Sequence, residues 1–194
     1  MKKSIQPLIA LACLVVLAAG CASAPSKFYS LNATAKADGT ASASYTVAVG
    51  PVRVPAGVNR PQFTVQATPN RVEIDEFNRW AEPLNDNIAN VVAANLAALL
   101  GTPRVTAAAL ANFAPDYQVS LNLQKFDSIP GKSVEIAAIW VVKPDHAPAV
   151  SGHTDVTEPV ADATYDALVA AHSQALAQVS ADIATALRAA ADAK

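Results

Sequence analysis

Seven residues near the C-terminus, Tyr165, Val169, His172, Leu176, Val179, Ile183 and Leu187, advance in steps of four and three. That spacing puts all of them on one face of a long helix. A helix with one apolar stripe gains little by itself and must cover that stripe against another layer. Asp162 or Thr164 is placed to cap its N-terminus. A second stripe, Leu84, Ile88, Val91, Val92, Leu96, Leu99 and Leu100, predicts another helix over Leu84 to Leu100. Pro83 suits its first position, Gly101 the residue just past its end, and Pro103 stops any continuation.

The layer beneath the helices reads as strands. From Tyr117 to Phe126, Val119, Leu121 and Leu123 alternate with Gln118, Ser120, Asn122 and Gln124. Ser133 to Val142 is apolar enough to be buried on both faces in places, and Pro130-Gly131 between the two predicts an antiparallel hairpin. Val150 to Val156 adds a third strand. Upstream, Lys27 to Leu31, Tyr45 to Val54, Gln62 to Gln66 and Arg71 to Phe77 read as short strands, with a bulge or kink at Gly50-Pro51. Pro55 and Pro61 bracket a turn, and 32–44 is a loop by composition. The expected class is α/β in the broad sense, α+β: a mostly antiparallel sheet with two helices packed on one face. The chain of 194 residues suits one domain and has no internal repeat.

The N-terminus has a separate logic. Lys2 and Lys3 precede Leu8 to Ala19, an apolar run of 12 residues. A membrane-crossing helix needs roughly 20, so the run has signal-peptide length. It ends in small residues leading directly into Cys21, which resembles the bacterial lipobox, although Ala18 stands three before the cysteine where Leu is usual. The thiolate there is the nucleophile that takes up the diacylglyceryl group. The other reading is a secreted protein with one free cysteine. The expected organisation is a signal peptide over 1–20, a lipidated tether over 21–27 and one domain over 28–194. Each buried methylene contributes about 0.8 kcal/mol, so several acyl chains make a lasting anchor. Ala22, where an Asp favours inner-membrane retention in enterobacterial-type sorting, leans toward the outer membrane. Cys13 would leave with the signal peptide, so the mature chain could form no internal disulfide.

Candidate chemistry is sparse. Beyond residue 20 the charge balance is 12 basic to 16 acidic residues, with no basic cluster, so nucleic acid is not an expected partner. His146, His153 and His172 show no metal-ligand spacing, and His172 sits on the apolar stripe as a packing residue. Ser151, His153 and Asp155 lie close together without a G-x-S-x-G elbow and read as strand or loop. Glu73, Asp75 and Glu76 lack a calcium-loop pattern and read as a solvated strand edge. No catalytic residue, metal or cofactor is expected, and the chain is not expected to be an enzyme.

The segments VGPVRVPAGVNRPQF and FNRWAEPLNDNI stand out. On a structural reading, Arg79 or Arg60 pairs with Glu82, and Trp80 plugs the core beneath the first helix. On a functional reading, this region contacts a partner protein, since Arg and Trp favour interface hot spots. Arg60, Pro61, Arg79, Trp80 and Glu82 are therefore the interface candidates.

Val49-Gly50-Pro51-Val52, Val54-Pro55, Arg60-Pro61-Gln62 and Arg79-Trp80-Ala81-Glu82-Pro83-Leu84 resemble the ABC-type transport auxiliary lipoprotein family, also called the PqiC family. Phe28-Tyr29-Ser30-Leu31 after the lipobox, and the hairpin carrying Trp140, resemble it too; "VQATPNRV" follows its pattern only loosely. The resemblance implies an outer-membrane lipoprotein facing the periplasm. Its partners would be an MCE-domain protein and an inner-membrane transporter component, serving lipid trafficking and membrane integrity. Whether it forms a homo-oligomer stays open. The competing readings are a structural envelope lipoprotein without a transport role and an envelope hydrolase. Replacement Cys21→Ser is expected to leave the domain folded and release it from the outer membrane; retention of the mutant in that fraction would contradict the anchor.

Overall fold

The computed structural model describes residues 24–37, 39–107 and 114–193. The lipobox cysteine Cys21 and the preceding apolar run lie outside the described residues. Eight strands and two helices follow in the order β1 Lys27–Tyr29, β2 Val47–Arg53, β3 Gln62–Thr68, β4 Arg71–Trp80, α1 Leu84–Leu99, β5 Val105–Thr106, β6 Tyr117–Ile129, β7 Ser133–Pro144, β8 Val150–Pro159 and α2 Tyr165–Asp192. The α+β class is as expected.

The strands form two mixed sheets, one ordered β1-β4-β3 and the other β5-β2-β6-β7-β8. The long pairings are antiparallel, as in β6 with β7 and β7 with β8. The short pairings, β1 with β4 and β2 with both β5 and β6, are parallel. Parallel neighbours need a crossover, and α1 lies on the path from β2 to β6. The two-residue β5 escaped sequence reading, because "VT" carries no periodicity.

Both helices cover one face of the five-stranded sheet. On β6 the buried residues are Val119, Leu121 and Leu123, with Phe126 buried after a register shift between Leu123 and Lys125. On β7 the inner row is Val134, Ile136, Ala138, Trp140 and Val142. Its outer row, Ala137, Ile139 and Val141, is half-buried rather than enclosed. Trp140 lies across Gly152 of β8, where an added Cβ would stand 2.1 Å from the indole. The α2 stripe from Val169 to Leu187 is buried as its spacing implies. Thr164 is its N-cap, accepting from the Ala167 N–H at 3.2 Å, and Asp162 in turn accepts from the Thr164 N–H at 2.7 Å. The α1 terminus is a Schellman arrangement: Thr102 N–H reaches the Ala97 carbonyl, Gly101 N–H reaches that of Ala98, and Gly101 takes φ 62°. Pro83 is the N-cap rather than the first helical residue, with ψ at 126° and its carbonyl accepting from the Asn87 N–H.

Residues 31–35 form neither helix nor strand, so their backbone donors need other partners. Asn87 Oδ1 accepts from the Leu31 N–H at 2.8 Å. Asn95 Oδ1 accepts from both the Thr34 and Ala35 N–H groups at 3.0 Å, and Ser173 Oγ accepts from the Asn32 N–H at 3.2 Å. Replacing the fully buried Asn95 by Ala strands these donors and is expected to cost about 2–3 kcal/mol in denaturant unfolding. A loss within measurement error would show that this segment contributes nothing to the fold.

Candidate functional site

The turn before β3 is closed by Val58 and Asn59 N–H groups on the Pro55 carbonyl. Its far end is fastened to β4, where the Trp80 N–H donates to the Pro61 carbonyl at 2.7 Å. One residue later the Ala81 N–H donates to the Tyr29 carbonyl at 2.8 Å. Chain ends from β1, β3 and β4 thus converge on the N-terminus of α1. Between them lies an open groove of about 340 Å³, lined by Arg60, Pro61, Trp80, Glu82, Pro83 and Leu84, with Asn59 and Ala81 at its margin.

Trp80 forms the groove floor and belongs to an aromatic column. Its ring stacks on Phe63 at 4.5 Å and meets Phe126 edge-on at 6.3 Å. Phe63 packs edge-on against Tyr165 at 5.1 Å, while Phe126 stacks on His172 at 3.9 Å. The column joins the three-stranded sheet to the five-stranded sheet and to α2. Trp80 is only 6% exposed, so it plugs the core and also floors the groove.

The charged rim differs from the pairing that the sequence suggested. Glu82 takes neither arginine. Its carboxylate accepts from Asn87 Nδ2 at 2.7 Å and from the Ser30 hydroxyl at 3.4 Å. The reason is local: Asn87 stands one helical turn beyond Pro83 and presents its amide to the preceding residue. Arg60 Nε is buried without a hydrogen-bond partner. A buried donor left unmet costs free energy, and the half-buried Arg60 side chain also lines the groove. Arg79 lies on the other face of β4 from Trp80, because side chains alternate along a strand, and does not line the groove. Four of the five interface candidates are therefore brought together. Pro83 and Leu84, where α1 begins, complete the walls.

The remaining polar candidates have structural duties. Asp75 is committed rather than solvated: it accepts from the Phe77 and Asn78 N–H groups, from Asn78 Nδ2 and from the Tyr165 hydroxyl at 2.7 Å. Burial pushes its carboxyl up, but these donors outweigh that and hold it at about 2. Among the described residues no group of three His, Cys, Asp or Glu could hold a metal ion. His153 meets Asp155 at 3.3 Å on the exposed edge of β8. A Ser–His contact that sequence spacing could not suggest joins Ser128 Oγ to His172 Nε2 at 2.8 Å. Both residues are buried, and His172 Nδ1 has no partner to orient the ring as a base. Burial drives the His172 imidazole down to about 3.

His172 and Asp75 both make stability depend on pH. The unfolded chain takes up a proton at His172 below about 6.5, whereas the native ring resists until about 3. Stability from this group is therefore complete above pH 6.5 and declines as pH falls toward 3, by at most about 1.4 kcal/mol per pH unit. Asp75 extends the decline, from its ordinary 3.8 down to about 2. Urea midpoints across this range should fall with pH, and His172→Gln should flatten the upper part of the curve while lowering stability at neutrality. An unchanged slope in that variant would refute the assignment.

The family model described as ABC-type transport auxiliary lipoprotein component matches residues 29–184. Among curated proteins none matches the chain. A solved structure of an uncharacterized protein, of 21% identity, aligns over 84% of this chain and 99% of its own with a TM-score of 0.69. Protein XCC0632 from Xanthomonas campestris, of the DUF330 family, aligns over 81% of this chain and 92% of its own, at 18% identity and a TM-score of 0.66. At such identities these structures speak to the fold alone.

Proposed function

The chain belongs to the ABC-type transport auxiliary lipoprotein family, and on that premise we propose that it is a lipid-anchored envelope subunit that works by docking rather than by catalysis. Cys21 would carry the lipid and hold the domain on the periplasmic side of the outer membrane. The docked partner would be an MCE-domain protein that bridges the envelope toward an inner-membrane transporter component. The task of the assembly would be lipid movement that maintains envelope integrity.

The observation that carries this reading is the groove at the start of α1. It gathers Arg60 and Pro61 with Trp80 and Glu82, from two segments 19 residues apart at their nearest. The arrangement suits a peptide segment: apolar walls for a side chain, and the half-buried Arg60 guanidinium at the lining for a backbone carbonyl or a carboxylate. Asn87 and Ser30 hold Glu82 Oε1 and so fix the carboxylate at the rim. The rigid Pro61 and Pro83 walls lower the entropy cost of binding, since little must be ordered when a partner arrives.

The half-buried Arg60 makes no ion pair among the described residues, so changing it should spare the fold. Arg60→Glu is expected to reduce recovery of the MCE protein after in-cell crosslinking by about tenfold, the equivalent of about 1.4 kcal/mol. The lipid anchor and the thermal stability should be unaffected. Undiminished recovery would remove the groove from the interface. Absence of any MCE protein from the wild-type crosslinks at native expression would remove the partner itself.

A further inference from the structure

The three-stranded sheet turns one face toward the aromatic column and the other toward solvent. The solvent face is unusually apolar: Phe28 is 64% exposed, Val72 60%, Ile74 44% and Phe77 43%. Their shared face follows from the ladder. Phe28 lies opposite Arg79, so both point away from the half-buried Tyr29 and the buried Trp80 on the next rung. Phe77 lies in the irregular stretch between Asp75 and Arg79, where strict alternation lapses, and is exposed. Beyond the irregularity at Asp75, Ile74 pairs with Thr64 and Val72 with Gln66, opposite in phase to the buried Phe63 and Val65.

Charge is partly sorted: Glu73 and Asp75 fall on the other side of β4, while Glu76 is held at 3.2 Å by Gln62 Nε2, the rung partner of Arg79. Arg79, the cation of the apolar face, makes no ion pair among the described residues. Large apolar side chains exposed along one face, with a guanidinium beside them, suit a recognition surface.

The length of chain before the sheet says what it meets. Phe28 stands only seven positions after Cys21, a span that fully extended reaches at most about 25 Å. The 28-residue α2 alone is about 40 Å long. Its first residue, Tyr165, touches Tyr29 of β1, so its far end is carried away from the tether's origin. We propose that the outer face of the three-stranded sheet rests on the lipid bilayer itself, with Phe28, Phe77, Ile74 and Val72 at the acyl boundary and Arg79 among the phosphates. This rests on the Cys21 anchor. The face would fix the orientation of the domain, leaving the groove on the far side of β4 turned toward the periplasm.

The test uses the full lipidated chain in phosphatidylethanolamine–phosphatidylglycerol vesicles with brominated acyl chains. An environment-sensitive fluorophore is placed on Phe77→Cys, on Val72→Cys as a second position on the face, or on Ala189→Cys near the end of α2. Groups seated about 5–10 Å into the interface should be quenched at least about threefold more at positions 77 and 72 than at 189. Equal quenching at all three, in protein that still floats with the vesicles, would overturn the membrane face and leave the anchor standing. Protein that does not float would overturn the anchor, and the face proposal with it.

Discussion

The fold depends on two buried amides. Asn87 and Asn95 project from α1 into the path of residues 31–35, a stretch with no strand partner of its own. In a dry interior those backbone donors would each be a penalty; instead α1 supplies the acceptors, and Ser173 of α2 supplies one more. The chain leaving β1 is thereby stitched into the seam between the two helices. Asn87 also gives its Nδ2 to Glu82, so the same side chain that secures the seam positions the rim of the groove.

The aromatic column is the second joint. Two sheets that share no ladder must be held by side chains, and Tyr29, Phe63, Trp80, Phe126, Tyr165 and His172 form a continuous set of ring contacts across them. Offset and edge-on pairs of this kind add to the area they bury. Asp75 reinforces the joint by holding the irregular part of β4 and the hydroxyl of Tyr165 together. An exposed groove therefore sits on a floor that cannot easily move. The groove and the core share Trp80, so a substitution there would confuse any lost docking with lost folding.

Much of this was legible without coordinates. The β6–β7 hairpin and α2 announce themselves because their periods, two and 3.6, are local properties of consecutive residues. The Arg-Pro and Arg-Trp-Ala-Glu-Pro-Leu segments drew attention by their density of interface-type residues, and four of those residues do share one groove. The Arg–Glu pairing was misjudged because proximity in sequence said nothing of the competing amide of Asn87. Asp75 looked solvated because its key donor, Tyr165, is 90 residues away. Ser128 and His172 are separated by 44, and no spacing rule joins them.

By itself the sequence determined both helices and the longer strands, the apolar face of the helices and of β6, that the class is α+β, and which family the chain resembles. Those properties are set by neighbours within a few residues. Only the tertiary structure decided that the strands divide into two mixed sheets, that β2 runs parallel to both its neighbours, and that Arg60 keeps an unmet N–H. It also decided that Trp80 and Arg79, adjacent in the chain, face a groove and an apolar outer surface respectively. Such outcomes turn on which distant group reaches a donor or fills a gap first, and that competition is resolved only when the layers pack.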